Sequence, residues 1–198
     1  MGILNVTPDS FADGGRHNEF EAAVARGIEM IAEGVDIIDV GGESTRPGAE
    51  RVSEEEEIAR TIPVIAELAK HGATISIDTM RASTAEAAVK AGASIINDVS
   101  GGLADVEMLQ TAARLNVPFI AMHWRGQSKD MNSKAIYGDV VNDVIAELNE
   151  RIDAALDAGI QKDKLIIDPG IGFAKDAEHN WAIIDAIDRF VELGYPVL

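Results

Sequence analysis

The 198 residues carry 34 acidic against 17 basic side chains, a net charge of −17, with 46% hydrophobic residues and no cysteine. That apolar share excludes wholesale disorder. The missing thiols exclude disulfides, thiolate zinc sites and cysteine nucleophiles, in keeping with a cytoplasmic protein. The acidic balance excludes general nucleic-acid binding, which needs clustered Lys and Arg, and docking on anionic lipid. No run approaches the roughly 18 apolar residues of a membrane span, and Met1–Asp9 lacks the basic start and cleavage site of a signal peptide. A small anionic substrate stays compatible if a local basic residue, backbone N–H groups or a divalent cation offsets the field.

Short Ile/Val-rich runs alternate with longer amphipathic ones. The apolar runs predict strands over Gly2–Val6, Val35–Val40, Thr74–Asp78, Ser94–Asp98, Pro118–His123 and Lys164–Asp168, with a seventh starting at Pro196–Leu198. Near-continuous apolar character fits parallel strands covered on both faces. Helices are predicted over Glu19–Glu33, Glu54–Lys70, Ser83–Ala91, Asp105–Leu115, Asp139–Ala158 and Ala177–Leu193. Ser53 with Glu56, Ser83 with Glu86 and Asn18 with Glu21 have capping-box spacing, and the Glu54–Glu57 run reads as an acidic first turn. Gly34, Gly72, Gly92, Gly159 and Gly194 each follow a helix, where a left-handed stop favours glycine.

This βα repeat gives an open doubly wound sheet or a (β/α)8 barrel. Two features favour the barrel. Asn5, Asp39, Asp78, Asn97, His123 and Asp168 sit at the ends of different strands, and barrel closure brings such ends to one mouth. No dinucleotide or P-loop glycine motif follows the first strand. The fold expected is therefore an α/β (β/α)8 TIM barrel, incomplete at the C-terminus: about six βα units and the start of strand seven. A whole barrel takes about 250 residues, so about a fifth or more of the domain is expected to lie outside these 198.

The strand ends also carry the chemistry. Asn5-Val-Thr-Pro-Asp-Ser-Phe-Ala-Asp-Gly-Gly15 and Gly41-Gly-Glu-Ser-Thr-Arg-Pro-Gly48 read as βα loops of the kind that carry function. Alternation puts Ser76 and Asp78 on one face of strand three. Asp78, Asn97 and Asp168 would form a hydrogen-bonding floor suited to a flat heterocycle with several N–H groups. Met122 and Trp124 could sandwich a planar ring, and Trp124 equally fits packing of the barrel top. His123 is a weak metal candidate, because His17, His71 and His179 show no ligand spacing with it. No Gly-x-Ser-x-Gly elbow supports a hydrolase.

In order, the two loop motifs, Ser76-Ile-Asp-Thr79, Ile96-Asn-Asp-Val-Ser-Gly-Gly102, Met122-His-Trp124 and Asp168-Pro-Gly-Ile-Gly-Phe173 resemble the dihydropteroate synthases, over essentially the whole chain. The resemblance implies one pterin-binding barrel domain over residues 1–198 and a homodimer in the complete protein. It implies a transferase of folate biosynthesis that joins 6-hydroxymethyl-7,8-dihydropterin diphosphate to 4-aminobenzoate and releases pyrophosphate. By motif, Asp78, Asn97 and Asp168 would hold the pterin and Met122 and Phe173 would line its slot, with Asp78 and Asp168 stabilising positive charge in catalysis. Asn5 would help to bind Mg²⁺. Thr45 and Arg46 would belong to the second mobile loop, and Phe11, Asp13 and Pro47 would help to build the aminobenzoate site. The family pattern continues with Ser-Arg-Lys and Arg-x-His segments that these 198 residues do not contain, so little activity is expected from this chain alone. A pterin-dependent methyltransferase domain shares the barrel and the acidic floor, but the two loop motifs favour the synthase. A non-catalytic or degenerate pterin-binding module is the alternative from another class.

Overall fold

The computed structural model describes residues 1–7, 15–44, 51–127 and 131–198. Six four-residue strands, β1 (Gly2–Asn5), β2 (Ile38–Gly41), β3 (Ile75–Asp78), β4 (Ile95–Asp98), β5 (Phe119–Met122) and β6 (Leu165–Asp168), alternate with helices. The helices are α1 (Gly15–Ala32), α2 (Glu54–Lys70), α3 (Ala82–Ala91), α4 (Met108–Leu115), α5 (Val140–Asp157), α6 (Ala177–Asp185) and α7 (Ile187–Val191).

All neighbouring strands pair in parallel, in the order β1-β2-β3-β4-β5-β6. That order decides the fold. An open doubly wound sheet reverses direction at a switch point, whereas a barrel adds each strand beside the last. Ile167 bridges Val197 in parallel, with the Ile167 N–H donating to Pro196 O (3.0 Å) and the Leu198 N–H to Ile167 O (2.9 Å). The seventh strand therefore begins where the sequence predicted it.

Each strand is apolar toward the helices because its Ile and Val side chains pack there. Leu4, Val40, Ile75, Ile77 and Ile96 are buried with Val64, Ile65 and Leu68 of α2 and Ala85 and Ala88 of α3. A second cluster joins Val144 and Leu148 of α5 to Ile183 and Phe190 of the last two helices. A third, Met80, Val99 and Met122 with Trp124 and Phe173 against it, lies at the strand C-terminal ends.

Helix boundaries follow the caps with three corrections. The Ser53 side chain accepts from the Glu56 N–H (3.2 Å) and starts α2 as expected. Ser83 does not cap α3: the helix begins one residue earlier, after Arg81, and the Ala82 N–H is taken by Asp105 Oδ2 at 2.8 Å, a long-range partner that local spacing cannot reveal. Asn18 lies inside α1 and is not its cap. The helix expected over Ala177–Leu193 is two, divided at Ala186, whose N–H is shared between the carbonyls of Ala182 and Ile183. The expected stops at Gly92 (φ 121°) and Gly159 (φ 99°) take the backbone that glycine alone adopts readily.

Candidate active site

Register sets the site. Asn5, Gly41, Asp78 and Asn97 form one row across β1 to β4, and Asp168 pairs with Met122 across β5 and β6. Their side chains meet in a cavity of about 450 Å³ that Asn5, Asp78, Asn97, Met122, Asp168 and Phe173 all line. The six described residues assigned to the pterin and Mg²⁺ are thus brought together, while His123 and Trp124 are not. Phe11, Asp13, Thr45, Arg46 and Pro47 lie outside the described residues.

The floor is acidic. Burial pushes the Asp78 carboxyl well above its usual range, and the neighbouring charges of Asp39, Asp98, Glu57 and Glu43 add to the shift. Burial also raises Asp168, against the Gly170 N–H that donates to its Oδ1 at 2.7 Å and the Lys175 charge, both of which favour ionisation. Carboxylates held this way gain from a ligand that brings hydrogen-bond donors or positive charge.

Sequence reasoning placed Asp39 at a strand end but gave it no role. It lines the same cavity and is buried, and its Oδ2 accepts from Asn97 Nδ2 at 3.0 Å. Asp39 therefore sets the orientation of the Asn97 amide. Burial raises the Asp39 carboxyl, eased by Ser76 and Asn97. Asp39 Oδ1 and Ser76 Oγ nevertheless make no hydrogen bond of ordinary geometry among the described residues. The signal was available, because Asp39 and Ser76 are register partners on neighbouring strands.

His123 is a correction. It directly follows Met122, so alternation turns it from the cavity that Met122 lines, and it lines a smaller cleft of about 100 Å³ with Trp124, Glu147 and Arg151. Trp124 packs at the barrel top with Met122 and Phe173 and does not line the larger cavity. Asp98 is also taken up locally: it accepts from the N–H groups of Ser100 and Gly102, both at 2.8 Å, and from Ser100 Oγ at 2.7 Å, while burial holds it at about 6. Glu57, read as part of an acidic first turn, is only 1% exposed and accepts from Thr79 Oγ1 (2.6 Å) and from Arg81.

Among the described residues no three His, Asp, Glu or Cys side chains are grouped to hold a metal ion. The donor set at β1 and β3 suits a cation that arrives with its substrate. Gly41 leaves open the space between two oxygens: a Cβ there would lie 3.3 Å from Asp78 Oδ2 and 3.6 Å from Asn5 Oδ1. Mg²⁺ takes hard oxygen donors and is commonly held by one or two protein groups plus substrate phosphates, and the exposed Asn5 amide fits that role.

A parallel barrel sheet with an acid-and-amide floor at its strand ends defines a protein that binds a small planar ligand at the mouth of a βα barrel. Comparison with known proteins narrows the class. A model of pterin binding enzymes matches residues 1–198. Dihydropteroate synthase of Mycobacterium leprae is 49% identical over 199 residues, covering all of this chain and 70% of that protein; that of Bacillus subtilis is 50% identical, covering 67% of its length. Among solved structures, Xanthomonas albilineans dihydropteroate synthase with 4-aminobenzoic acid superposes with a TM-score of 0.92 at 49% identity, covering all of this chain and 70% of that one. The same enzyme in complex with 7,8-dihydropteroate gives 0.88 at 44% identity over the same shares. The chain belongs to the pterin-binding enzyme family and, within it, to the dihydropteroate synthases, transferases of folate biosynthesis. No described helix is long and apolar enough to cross a membrane.

Proposed function

We propose that the cavity at the strand ends binds 6-hydroxymethyl-7,8-dihydropterin diphosphate and presents its methylene carbon to 4-aminobenzoate. The observation that carries this reading is the convergence of Asp78, Asn97 and Asp168 on one cavity walled by Met122 and Phe173. The three polar groups accept the N–H groups along the edge of the pterin, and the two apolar side chains cover its faces. Asn5 would hold Mg²⁺ against the diphosphate. Bound there, the ion would neutralise charge on the leaving pyrophosphate.

The chain's own contribution is electrostatic. As the C–O bond breaks, its electron pair leaves with pyrophosphate and the pterin methylene becomes cationic. Asp78 and Asp168, set in the cavity floor, would lie beneath that charge and stabilise it as carboxylates. The neutral aniline nitrogen then attacks the cation. The anilinium that forms is a strong enough acid to lose its proton to solvent water, so no general base is assigned. Arg46 would offset the diphosphate charge, Thr45 would belong to the same loop, and Phe11, Asp13 and Pro47 would help to build the aminobenzoate site.

Turnover by the 198-residue chain on its own is expected to be low. β1 pairs only with β2 among the described strands, and Ile3 on that edge is 66% exposed, which leaves the lumen open to water. The complete protein is read as a cytoplasmic homodimer acting on these small molecules, which sedimentation would test.

The deciding experiment titrates the pterin diphosphate with and without Mg²⁺, then measures 4-aminobenzoate-dependent pyrophosphate release. Binding is expected to tighten with Mg²⁺, and Asn5→Ala to lose that gain. Asp78→Ala and Asp168→Ala should each lose about 1.5–3 kcal/mol of pterin binding. Wild-type affinity in both variants would overturn the reading.

A further inference from the structure

The turn after β6 carries two site residues, Asp168 at its start and Phe173 within it. Beneath it lies Lys175, 7% exposed. An ammonium has three N–H groups, and Lys175 Nζ has three acceptors: Gly170 O at 2.9 Å, Phe173 O at 3.0 Å and His123 Nδ1 at 2.9 Å. With Nδ1 accepting, neutral His123 carries its proton on Nε2, which donates to Glu147 Oε2 at 2.9 Å. Arg125 binds the same Glu147 carboxylate and lies 3.8 Å over the Tyr137 ring. The Tyr137 hydroxyl closes the circuit by donating to Ala174 O at 3.0 Å.

The circuit holds three carbonyls of one turn, those of residues 170, 173 and 174. That turn needs holding. Ala174 sits at φ 50°, a left-handed conformation costly for alanine, and a Cβ on Gly170 would lie 2.5 Å from His123 O. None of Lys175, His123 or Glu147 lines the larger cavity, so the circuit acts on the site through its neighbours, Asp168 and Phe173 of the turn and Met122 beside His123.

We propose that Lys175, seated on the His123–Glu147 pair, is the positioning residue of the pterin site, fixing the turn that aims Asp168 and Phe173 at the ligand. The inference deepens the pterin reading and rests on it. Burial lowers the ammonium to about 7 and His123 to about 4. The charged groups around Lys175 are Asp168 on β6, Arg125 after β5 and Glu147 on α5.

The test measures the affinity of the 198-residue chain for 6-hydroxymethylpterin, together with amide hydrogen exchange over residues 170–175. Lys175→Met keeps the chain length and removes the donors. It should bind the pterin about tenfold more weakly and lose protection in that turn while α2 and α3 keep theirs. Lys175→Arg keeps the charge and N–H donors and should restore most of the affinity and of the protection in the turn. If Lys175→Met does not fold, Glu147→Gln cuts the circuit at its half-buried end and should weaken binding about threefold with faster exchange at Phe173. Wild-type affinity in a folded Lys175→Met, or in Glu147→Gln where the first cannot fold, overturns the proposal. Asp168→Asn separates the two levels. Full affinity there defeats the pterin reading itself, whereas loss there with full affinity in Lys175→Met defeats only the role of Lys175.

Discussion

At Asn97 a single pairing decides how the floor presents itself. Its Nδ2 is committed to Asp39, so removing that carboxylate frees the amide to rotate. Asp39→Ala should weaken pterin binding about three- to tenfold in a calorimetric titration, through Asn97 rather than through direct contact. Gly170 is constrained from both sides, by φ 70° and by His123 O within 2.5 Å of any Cβ. Gly170→Ala should cost about 2–4 kcal/mol, and the melting temperature should drop by roughly 4–12 °C. An unchanged melting temperature would mean that the turn relaxes freely, against the account of its rigidity. The parity of side chains was readable at Ser76 and Asp78. The same parity, applied to Met122 and His123, would have turned the histidine away from the mouth. Lys175 was not readable, because its importance lies in partners 52, 5 and 2 residues away that only the folded turn assembles.

Elements are joined here by polar groups as well as by the core. Glu57 of α2 is buried against Thr79 and Thr84, and Arg81 bridges it to Glu43 after β2 (2.9 Å to Glu43 Oε2). Burial lowers the guanidinium, but the two carboxylates outweigh it and hold it above its ordinary value. Arg81→Met would leave the buried Glu57 without its cation, while Glu43 keeps Arg51 at 2.8 Å, and should cost about 3–5 kcal/mol in a urea melt. Arg26, which pairs with Glu29 and Glu33 on the exposed face of α1, should be replaceable by alanine with no measurable change. Equal effects at the two arginines would contradict this ranking. The strands and most helices were legible because Ile/Val runs, glycine stops and Ser53 are local signals. The burial of Glu57, the Asp105 cap on α3 and the division at Ala186 were not, because each depends on contacts between distant segments or within a fully formed helix.

For the whole molecule, the site is a source of instability. Asp39, Asp78, Asp98 and Asp168 all have folded carboxyls raised above their unfolded values. The folded protein therefore keeps protons that the unfolded chain releases, and stability falls as pH rises from about 4 through the raised values, to about 6 for Asp98. His123 works the other way: it is lowered to about 4, and its contribution grows between there and 6.5. Below pH 7 four carboxylates outweigh one imidazole, and the net charge of −17 adds self-repulsion, whereas above it Lys175, lowered to about 7, adds stability as pH rises. The melting temperature of the ligand-free chain should be higher at pH 5.5 than at pH 7. Asp78→Asn should raise it at pH 8 by about 2–6 °C while losing pterin affinity, the trade expected where a binding site is built from strained charge. A fall in melting temperature in that variant would show that the carboxylate is stabilising in the empty barrel.

The most direct measurement is a crystal structure of this chain soaked with 6-hydroxymethylpterin. The account requires the bicyclic ring in the strand-end cavity, between Met122 and Phe173, with ring N–H groups about 2.7–3.2 Å from Asp78, Asn97 and Asp168. A ring bound elsewhere, or seated there with those three side chains turned away from it, would contradict it.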